Sequence, residues 1–353
     1  MLLRSSFSEW FDLVLLDSTQ RSIPEPGVMT RGLHAAARVG RFVLLVERRR
    51  PQAVLAFTSQ GASFVEKCLC AAYAKMRGVP TVLLMRGGPF MDDVRRSPRY
   101  RRFARLLLGS AAVIPCQGEV WRRFFRDELG IDEARLPVIH NWTAPPEFLA
   151  LPRRADLDAA PLRLLFMAWV DRAKGIFELI DAVRALAADG SLPAFELHVA
   201  GGGAHVAEVR ARAAKYGLTD LVVIHGWVGG EAHRALYESA DVFVLPSWSE
   251  GMPNSMIEAM SLGVPVVVTP VGSIGDVVRD GANGLIVPAR DAEALRAALA
   301  LLLRSPELRR RLGEAGRLAA REMFGVERGA AALRDAIQVA IDGPAPAGEA
   351  AQS

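Results

Sequence analysis

The chain has 353 residues, about half apolar and 23% charged, the composition of a globular protein long enough for two domains. No apolar run approaches the roughly 18 residues needed to cross a bilayer, and the amino terminus lacks the order of a secretory signal. Cys68, Cys70 and Cys116 fit neither a disulfide framework nor a zinc spacing, so we expect reduced thiols and a cytoplasmic protein.

Charge is unevenly distributed along the chain. Residues 1–150 carry 22 Lys and Arg against 14 Asp and Glu, whereas the remainder carries 21 against 25. A basic excess confined to one half indicates an anionic partner surface, either a membrane or a nucleic acid.

The amino-terminal half alternates apolar runs with helical patterns. The runs predict strands at 11–17, 51–57, 81–85, 111–115 and 137–141. Helices are predicted at 31–46, 63–77 and 97–108, the second ending at Gly78 with Pro80 beyond it.

The carboxyl-terminal half repeats this alternation more clearly. Strands are predicted at 162–168, 195–200, 221–225, 241–245, 264–269 and 285–287. Helices are predicted at 177–188, 205–215, 234–239, 255–262, 291–304, 306–324 and 330–341. Strands that are apolar on both faces and alternate with helices indicate an α/β protein with parallel sheets covered on both sides.

These elements divide the chain into five parts. We predict a first Rossmann-like domain over 1–143, a Pro-rich linker over 144–161 and a second such domain over 162–325. The helix at 326–342 is expected to pack back on the first domain, and the Ala/Gly/Pro-rich tail, 343–353, to be disordered.

The segment Ser247–Met260, Ser-Trp-Ser-Glu-Gly-Met-Pro-Asn-Ser-Met-Ile-Glu-Ala-Met, follows the strand at 241–245 and opens a helix. Open α/β sheets bind ligands at the carboxyl ends of their strands, and a helix amino terminus attracts phosphate. Glu250 and Glu258 bracket this corner with seven residues between them.

This block resembles the signature of the retaining GT-B glycosyltransferases of family 4, glycosyl transferases group 1. The resemblance implies two doubly wound parallel-sheet domains facing across a cleft, with Glu250 on the donor sugar hydroxyls and Glu258 on the nucleotide ribose. Gly251, Met252, Pro253, Asn254 and Ser255 would line the donor site between them. From the residues alone, Ser255 and Glu258 also form a capping box, so a purely structural Glu258 stays open.

Lys174 opens a helix, where a cation opposes the helix dipole unless an anion is bound. By resemblance Lys174 binds the donor pyrophosphate. The chain departs from the family pattern at Trp169, which stands where an arginine is usual. Trp169 and Arg172 are both assigned to the donor site, Arg172 as a candidate replacement for that arginine.

Three further positions are assigned to the site by the resemblance. Arg86 lies where many members have a histidine near the reacting carbon, and could bind sugar or phosphate or cap a turn. Gly202, within Gly201–Gly203, and Val228, beside the nucleotide base, are expected to line the donor side. The Gly-rich turn lacks the dinucleotide spacing of a dehydrogenase.

A basic segment, Arg95–Arg105, holds six arginines interleaved with Tyr100 and Phe103. Such a helix can lie on an anionic membrane, or it can be a solvated helix face. No RNA-binding module is recognisable, so we expect no nucleic-acid partner.

The resulting hypothesis is a retaining, metal-independent hexosyltransferase that needs no cofactor and lies in the cytoplasm, peripheral to the membrane. It would move sugar from a nucleotide diphosphosugar, UDP-linked, to a glycan or lipid-linked acceptor in polysaccharide or cell-envelope synthesis. The alternatives are a non-catalytic sugar-nucleotide-binding subunit, a GT-B epimerase and a membrane-surface scaffold. Family members usually begin with a strand and a Gly-Gly loop, so either a segment precedes this start or the first domain is reduced.

Overall fold

The computed structural model describes residue 3 and residues 5–18, 27–151 and 161–343. The chain forms two compact units. The first comprises Met1–His140 together with Gly329–Ser353, and the second comprises Asn141–Arg328. The predicted linker over 144–161 begins inside the second unit, and the predicted disordered tail from 344 on lies outside the described residues.

The first unit is built on a short parallel pair, β1 (Val54–Thr58) and β2 (Thr81–Met85), in register from Val54 opposite Thr81. Its helices are α1 (Phe7–Trp10), α2 (Val28–Arg49), α3 (Ala62–Met76), α4 (Pro89–Arg96), α5 (Pro98–Leu108) and α6 (Glu119–Arg123). A π-helical turn, Phe124–Glu128, continues α6, and a 3₁₀ turn covers Glu133–Arg135. The three predicted helices of this half are confirmed as α2, α3 and α5.

The core of the first unit is rich in aromatic side chains. It contains packed rings from Phe64, Phe90, Trp121, Phe124 and Phe125. These rings come from helices and from the π-helical turn, so they fill the space beside the strand pair with large apolar groups.

Three predicted strands of the first unit do not form. Residues 111–115 and 137–141 contribute only single parallel bridges, Val82 to Val113 and Cys116 to Val138. The predicted strand at 11–17 is wrong: residues 11–18 carry no strand, and Leu15 is 67% exposed. An apolar run becomes a strand only where a neighbouring strand can satisfy its backbone.

The second unit contains one six-stranded, all-parallel sheet in the order β5-β4-β3-β6-β7-β8. The strands are β3 (Leu162–Met167), β4 (Phe195–Ala200), β5 (Val222–Gly226), β6 (Val242–Leu245), β7 (Val266–Val268) and β8 (Leu285–Ile286). The winding direction reverses between β3 and β6, so this is a doubly wound sheet, as predicted.

Nine helices of the described residues precede, connect or follow these strands. They are α7 (Pro146–Ala150), α8 (Ile176–Ala187), α9 (Val206–Lys215), α10 (Gly230–Glu238), α11 (Asn254–Ser261), α12 (Ile274–Val277), α13 (Ala292–Arg304), α14 (Pro306–Met323) and α15 (Val326–Asp342). The predicted helices of this half are confirmed to within a few residues. Most of α15, from Gly329, belongs to the first unit.

The core of the second unit explains why its sheet forms where the sequence predicted it. All four residues of β6 and all three of β7 are buried, as central strands of a sheet covered on both faces must be. Leu164 and Phe166 of β3 are fully buried in the same core. This rigid layer fixes the positions at which the loops leave the sheet.

Candidate functional site

The candidate site lies at the carboxyl ends of β3 and β6, the two neighbouring strands between which the sheet reverses direction. Loop 168–175 leaves β3 and loop 246–253 leaves β6. Loops diverging at such a point leave room for a ligand, and helices that begin there present N–H groups toward it. Topology therefore selects this edge independently of any motif.

The two loops approach each other through their backbones. Trp248 donates its N–H to the Ala173 carbonyl oxygen over 2.8 Å. Gly175 has φ +71°, and a Cβ there would stand 2.0 Å from the Pro246 carbonyl oxygen. Only glycine combines that conformation with that approach, so the sequence Lys174-Gly175 fixes where the lysine side chain begins.

Lys174 and Glu250 meet across this gap. Lys174 Nζ donates to Glu250 Oε1 over 2.6 Å, and Ser247 Oγ donates to the same oxygen over 2.8 Å. The side chains are 24% and 10% exposed, so both charges are largely desolvated while an edge of the pair reaches the surface. An ammonium has three donors, so Lys174 can bind Glu250 and an anion together.

The helix α11 begins one residue earlier than the sequence predicted. Pro253 is its N-cap and Asn254 its first residue, which places Ser255 inside the helix. The capping box of Ser255 and Glu258 therefore does not form, because the capping serine would have to precede the helix. This removes the purely local interpretation of Glu258.

The start of α11 is held by a buried amide from outside the motif. Asn141 Nδ2 donates to the Met252 carbonyl oxygen over 2.8 Å and lies 2.9 Å from Asn254 Oδ1. Thr143 Oγ1 reaches the same Asn254 oxygen over 3.2 Å. The loop that carries Glu250 is thus fixed at its far end as well, which limits the positions its carboxylate can take.

Glu258 points from α11 toward α10. Its Oε2 lies 3.3 Å from His233 Nε2, and the neighbouring Tyr237 donates its hydroxyl to the Ser255 carbonyl oxygen over 3.2 Å. Burial, with the charge of Glu258 next, raises the pKa of Tyr237 well above its ordinary value. Sequence reasoning missed His233 and Tyr237, although their four-residue spacing on a helix places them on one face.

Gly202 lies just beyond the carboxyl end of β4, within a glycine turn that packs closely against the backbone of the β3 loop. A Cβ on Gly201 would stand 1.8 Å from the Ala168 carbonyl oxygen, and one on Gly203 2.4 Å from that of Val170. A Cβ on Gly202 would face Trp169, 3.6 Å away, and the Cβ of Trp227. Both indoles are largely exposed, so Gly202 forms the base of an open aromatic surface.

Two predicted cations lie elsewhere. Arg172 donates from Nη2 to Glu208 Oε1 over 3.2 Å and stacks over Phe177 at 4.6 Å, contacts that hold its guanidinium against α8 and α9. Arg86 belongs to the first unit, where it follows β2 and stacks over Phe57. Burial lowers the pKa of Arg86 to about 10.

Val228 packs partly buried against the core of the second unit, just after β5. Among the described residues, no cluster of three or more His, Cys, Asp or Glu side chains could hold a metal ion. In the same part of the chain, none of the helices has the length and apolar character required to traverse a bilayer.

Two family models match the chain. Residues 151–319 match the model described as glycosyl transferases group 1, and residues 11–142 match the glycosyl transferase 4-like domain. A putative colanic acid biosynthesis glycosyltransferase of Salmonella typhimurium is 32% identical over 189 residues, covering 47% of this chain and 46% of that protein. A phosphatidyl-myo-inositol mannosyltransferase of Mycobacterium leprae is 30% identical over 223 residues, covering 61% and 55%. The matched region spans less than half the length of the first curated relatives.

Solved structures share the fold. Sucrose-phosphate synthase from Thermosynechococcus elongatus has a TM-score of 0.71 at 21% identity, covering 89% of this chain and 79% of that one. Anabaena HepE in complex with UDP-glucose has a TM-score of 0.69 at 16% identity, covering 85% and 82%. At these identities the likeness extends to the fold alone.

Proposed function

The chain belongs to the GT-B glycosyltransferases of group 1, and we propose that it moves a sugar from a nucleotide diphosphosugar to a glycan or lipid-linked acceptor in polysaccharide or cell-envelope synthesis. The observation that carries the proposal is the Lys174–Glu250 pair at the point where the sheet reverses. UDP is the proposed nucleotide, supported by the structurally similar HepE, which was solved with UDP-glucose.

The donor would be held from both ends of loop 246–253. The diphosphate lies against Lys174 and the first N–H groups of α11, which carry the positive end of that helix's dipole. The carboxylate of Glu250 accepts from hydroxyls of the sugar, and that of Glu258 accepts from the ribose.

Bond cleavage leaves negative charge on the departing diphosphate and positive charge on the anomeric carbon. Lys174 is already placed by Glu250, so its charge need not reorganise as the diphosphate departs. The negatively charged Glu250 would lie on the side where the sugar becomes positive. The proposal assigns the diphosphate charge to these groups without a metal ion or cofactor, and transfer retains the anomeric configuration by same-face attack of the acceptor hydroxyl.

Arg86, which follows β2, is proposed to donate to a sugar hydroxyl or a phosphate. Its guanidinium is largely desolvated, which strengthens any hydrogen bond it donates to a phosphate or carboxylate. Trp169 and Gly202 would contact the donor through the exposed aromatic surface, with Val228 beside the base.

The outer face of α5 is suited to contact a membrane that carries a lipid-linked acceptor. Arg99, Arg102, Phe103 and Leu106 follow the spacing i, i+3, i+4, i+7 and are all exposed. This spacing places two cations and two large apolar groups on one helix face, the arrangement of a helix that lies on an anionic membrane.

The first arginine of the basic segment forms an ion pair and does not face outward with α5. Glu128 binds the guanidinium of Arg95 at 2.6 Å, so Arg95 is not part of the outer face of α5. We propose that this face, and not the whole segment Arg95–Arg105, contacts anionic lipid from the inner side of the membrane.

The decisive experiment is sugar transfer by Glu250→Ala and Lys174→Ala. Each variant is expected to lose transfer by about 100-fold or more, since each removes a charge from the leaving-group side or the sugar side of the reaction. Transfer would be followed by mass spectrometry, with UDP- and GDP-sugars and lipid-linked acceptors, and folding by circular dichroism.

A matched control lies on α9. Lys215 is the last residue of that helix and is exposed, so Lys215→Ala removes the same side chain away from the loop contact. This variant is expected to transfer sugar as the wild type does. Near wild-type transfer in both site variants would refute the proposal.

A non-catalytic sugar-nucleotide-binding subunit is the second candidate. It is favoured by the small number of cations at the loop contact. Trp169 replaces the expected arginine, and Arg172 is bound to Glu208. Among the described residues of loop 168–175, Lys174 is therefore the one cation placed at that contact. Such a subunit would bind UDP in calorimetry, yet neither transfer nor hydrolyse the sugar. Product analysis therefore separates the two candidates.

A further inference from the structure

Glu258 pairs with a histidine on the neighbouring helix α10. His233 and Tyr237 are four residues apart on α10, so they present one face to α11. His233 Nε2 lies 3.3 Å from Glu258 Oε2, while the Tyr237 hydroxyl donates to the Ser255 carbonyl oxygen over 3.2 Å. The ion-pair partner of the carboxylate thus comes from α10 and not from its own helix.

The two supporting side chains are themselves well packed. Tyr237 is fully buried, its hydroxyl lies 3.2 Å from the Ser255 carbonyl oxygen, and its ring stacks with Phe243 at 6.2 Å. The His233 ring meets the Tyr237 ring edge-on, with centroids 5.1 Å apart. Because Tyr237 cannot move without disturbing the core, its ring orients His233.

The histidine is the more informative of the two. Tyr237 fills core volume whatever Glu258 does, whereas the side chain of His233 is 31% exposed and that of Glu258 19%. Both therefore have an edge open to solvent, and burial alone does not account for their pairing. A carboxylate that receives two adjacent hydroxyls needs both its position and its rotation fixed, and a side chain that contacts one of its oxygens restricts the rotation.

We propose that His233 is a positioning residue that orients Glu258 to accept the 2′- and 3′-hydroxyls of a ribonucleoside diphosphate. The inference rests on the proposed function, in which Glu258 contacts the ribose. It adds a residue outside the motif, whose effect is measured through the ribose diol that Glu258 is proposed to accept. His233 touches Glu258 and acts on the ligand only through it.

The test pairs variants of His233 with variants of the ligand. Calorimetry would measure the affinity of whichever of UDP, GDP and ADP binds the wild type most tightly, and of its 2′,3′-dideoxy analogue. His233→Leu is expected to weaken the ribonucleotide about tenfold while changing the dideoxy analogue less than about twofold. His233→Gln places an amide nitrogen near the position of Nε2 and is expected to restore most of the affinity.

A matched control exists on β4. His198 is also paired with a glutamate, its Nε2 lying 3.1 Å from Glu196 Oε2, but it lies outside the described site. His198→Leu is expected to leave both affinities unchanged. Thermal unfolding of each variant monitors the fold, and His233→Asn, which keeps a polar group but cannot reach Glu258, replaces His233→Leu if that variant does not fold.

Each remaining outcome is decisive. An equal loss for both ligands in His233→Leu would give His233 a structural role and overturn the inference. A wild type that binds the two ligands equally would remove the diol contact, overturning the inference while the transferase proposal stands. A wild type that binds none of the three nucleotides would overturn the proposed function and this inference with it.

Discussion

Lys174 and Glu250 show how a desolvated ion pair can remain available to a ligand. Breaking a pair of this kind usually costs stability, because the remaining charge is left without a partner. Here Ser247 also donates to Glu250 Oε1, so the carboxylate keeps one bond when the lysine is engaged elsewhere. Lys174 can therefore share its donors with a diphosphate at little cost to the loop.

Two adjacent glycines differ sharply in what they tolerate. Gly201 has φ +145°, and a Cβ there would overlap the Ala168 carbonyl oxygen at 1.8 Å, whereas a Cβ on Gly202 would make an ordinary 3.6 Å contact with Trp169. Gly201→Ala is expected to lower the free energy of unfolding by roughly 2 kcal/mol or more. Gly202→Ala is expected to change it by less than about 0.5 kcal/mol.

Urea unfolding of the purified variants measures both values. Gly190→Ala is the control, since a Cβ at that position meets nothing within 4 Å. Equal stability of the Gly201 and Gly202 variants would contradict the close approach of the β3 and β4 loops.

At the scale of elements, α11 is positioned by its neighbours more than by its own sequence. Its N-cap is a proline without a capping bond, and Asn141 and Thr143 bind its first residue. The Tyr237 hydroxyl on α10 lies 3.2 Å from the Ser255 carbonyl oxygen within the first turn. The helix terminus assigned to the diphosphate is therefore anchored on two sides.

The outer face of α5 provides the prediction for this scale. R99E/R102E is expected to weaken binding to vesicles of phosphatidylglycerol and phosphatidylcholine at least about tenfold, because each basic residue near an anionic surface contributes ~1 kcal/mol. Co-sedimentation at low and high salt would measure the binding.

The control for this prediction is R210E/K215E on α9. It makes the same change of net charge on a helix that carries no exposed large apolar side chain, and should bind vesicles nearly as the wild type does. Equal losses of vesicle binding in the two double variants would show that net charge, and not the outer face of α5, determines the binding.

At the scale of the whole molecule, the reactivity of the thiols measures the opening of the first unit alone. Cys68, Cys70 and Cys116 are the three cysteines of the chain, and all are buried in the first unit. Burial raises the pKa of Cys68 to about 12 and that of Cys70 to about 11, and raises that of Cys116 further. Thiolates are therefore scarce in the folded state at pH 8.

Alkylation at pH 8 is expected to be at least about 100-fold slower in the native protein than in urea, since it requires the first unit to open. A thiol whose folded pKa is raised binds its proton more tightly in the folded state, so its stabilising contribution is present below the ordinary pKa. That contribution is lost as pH rises from about 9 toward 11. Labelling followed by mass spectrometry, and unfolding across this pH range, check both statements. Rapid native labelling of all three thiols would contradict the burial.

The sequence by itself determined the second unit. Its strands are apolar on both faces and alternate with helical patterns, so local pattern and final fold agree at nearly every element. The motif from Ser247 to Met260 indicated the candidate site, because it resembles a family signature and follows a strand at the point where the sheet reverses. Lys174 and Glu250, assigned separately, are brought together by the structure.

Only the tertiary structure decided the rest. The run at 11–17 forms no strand because strand formation depends on a neighbour that the local pattern does not specify. Arg172 and Glu258 find their partners, Glu208 and His233, on other helices of the second unit. Such contacts are set by how the helices pack on the sheet, and no spacing along the sequence encodes them.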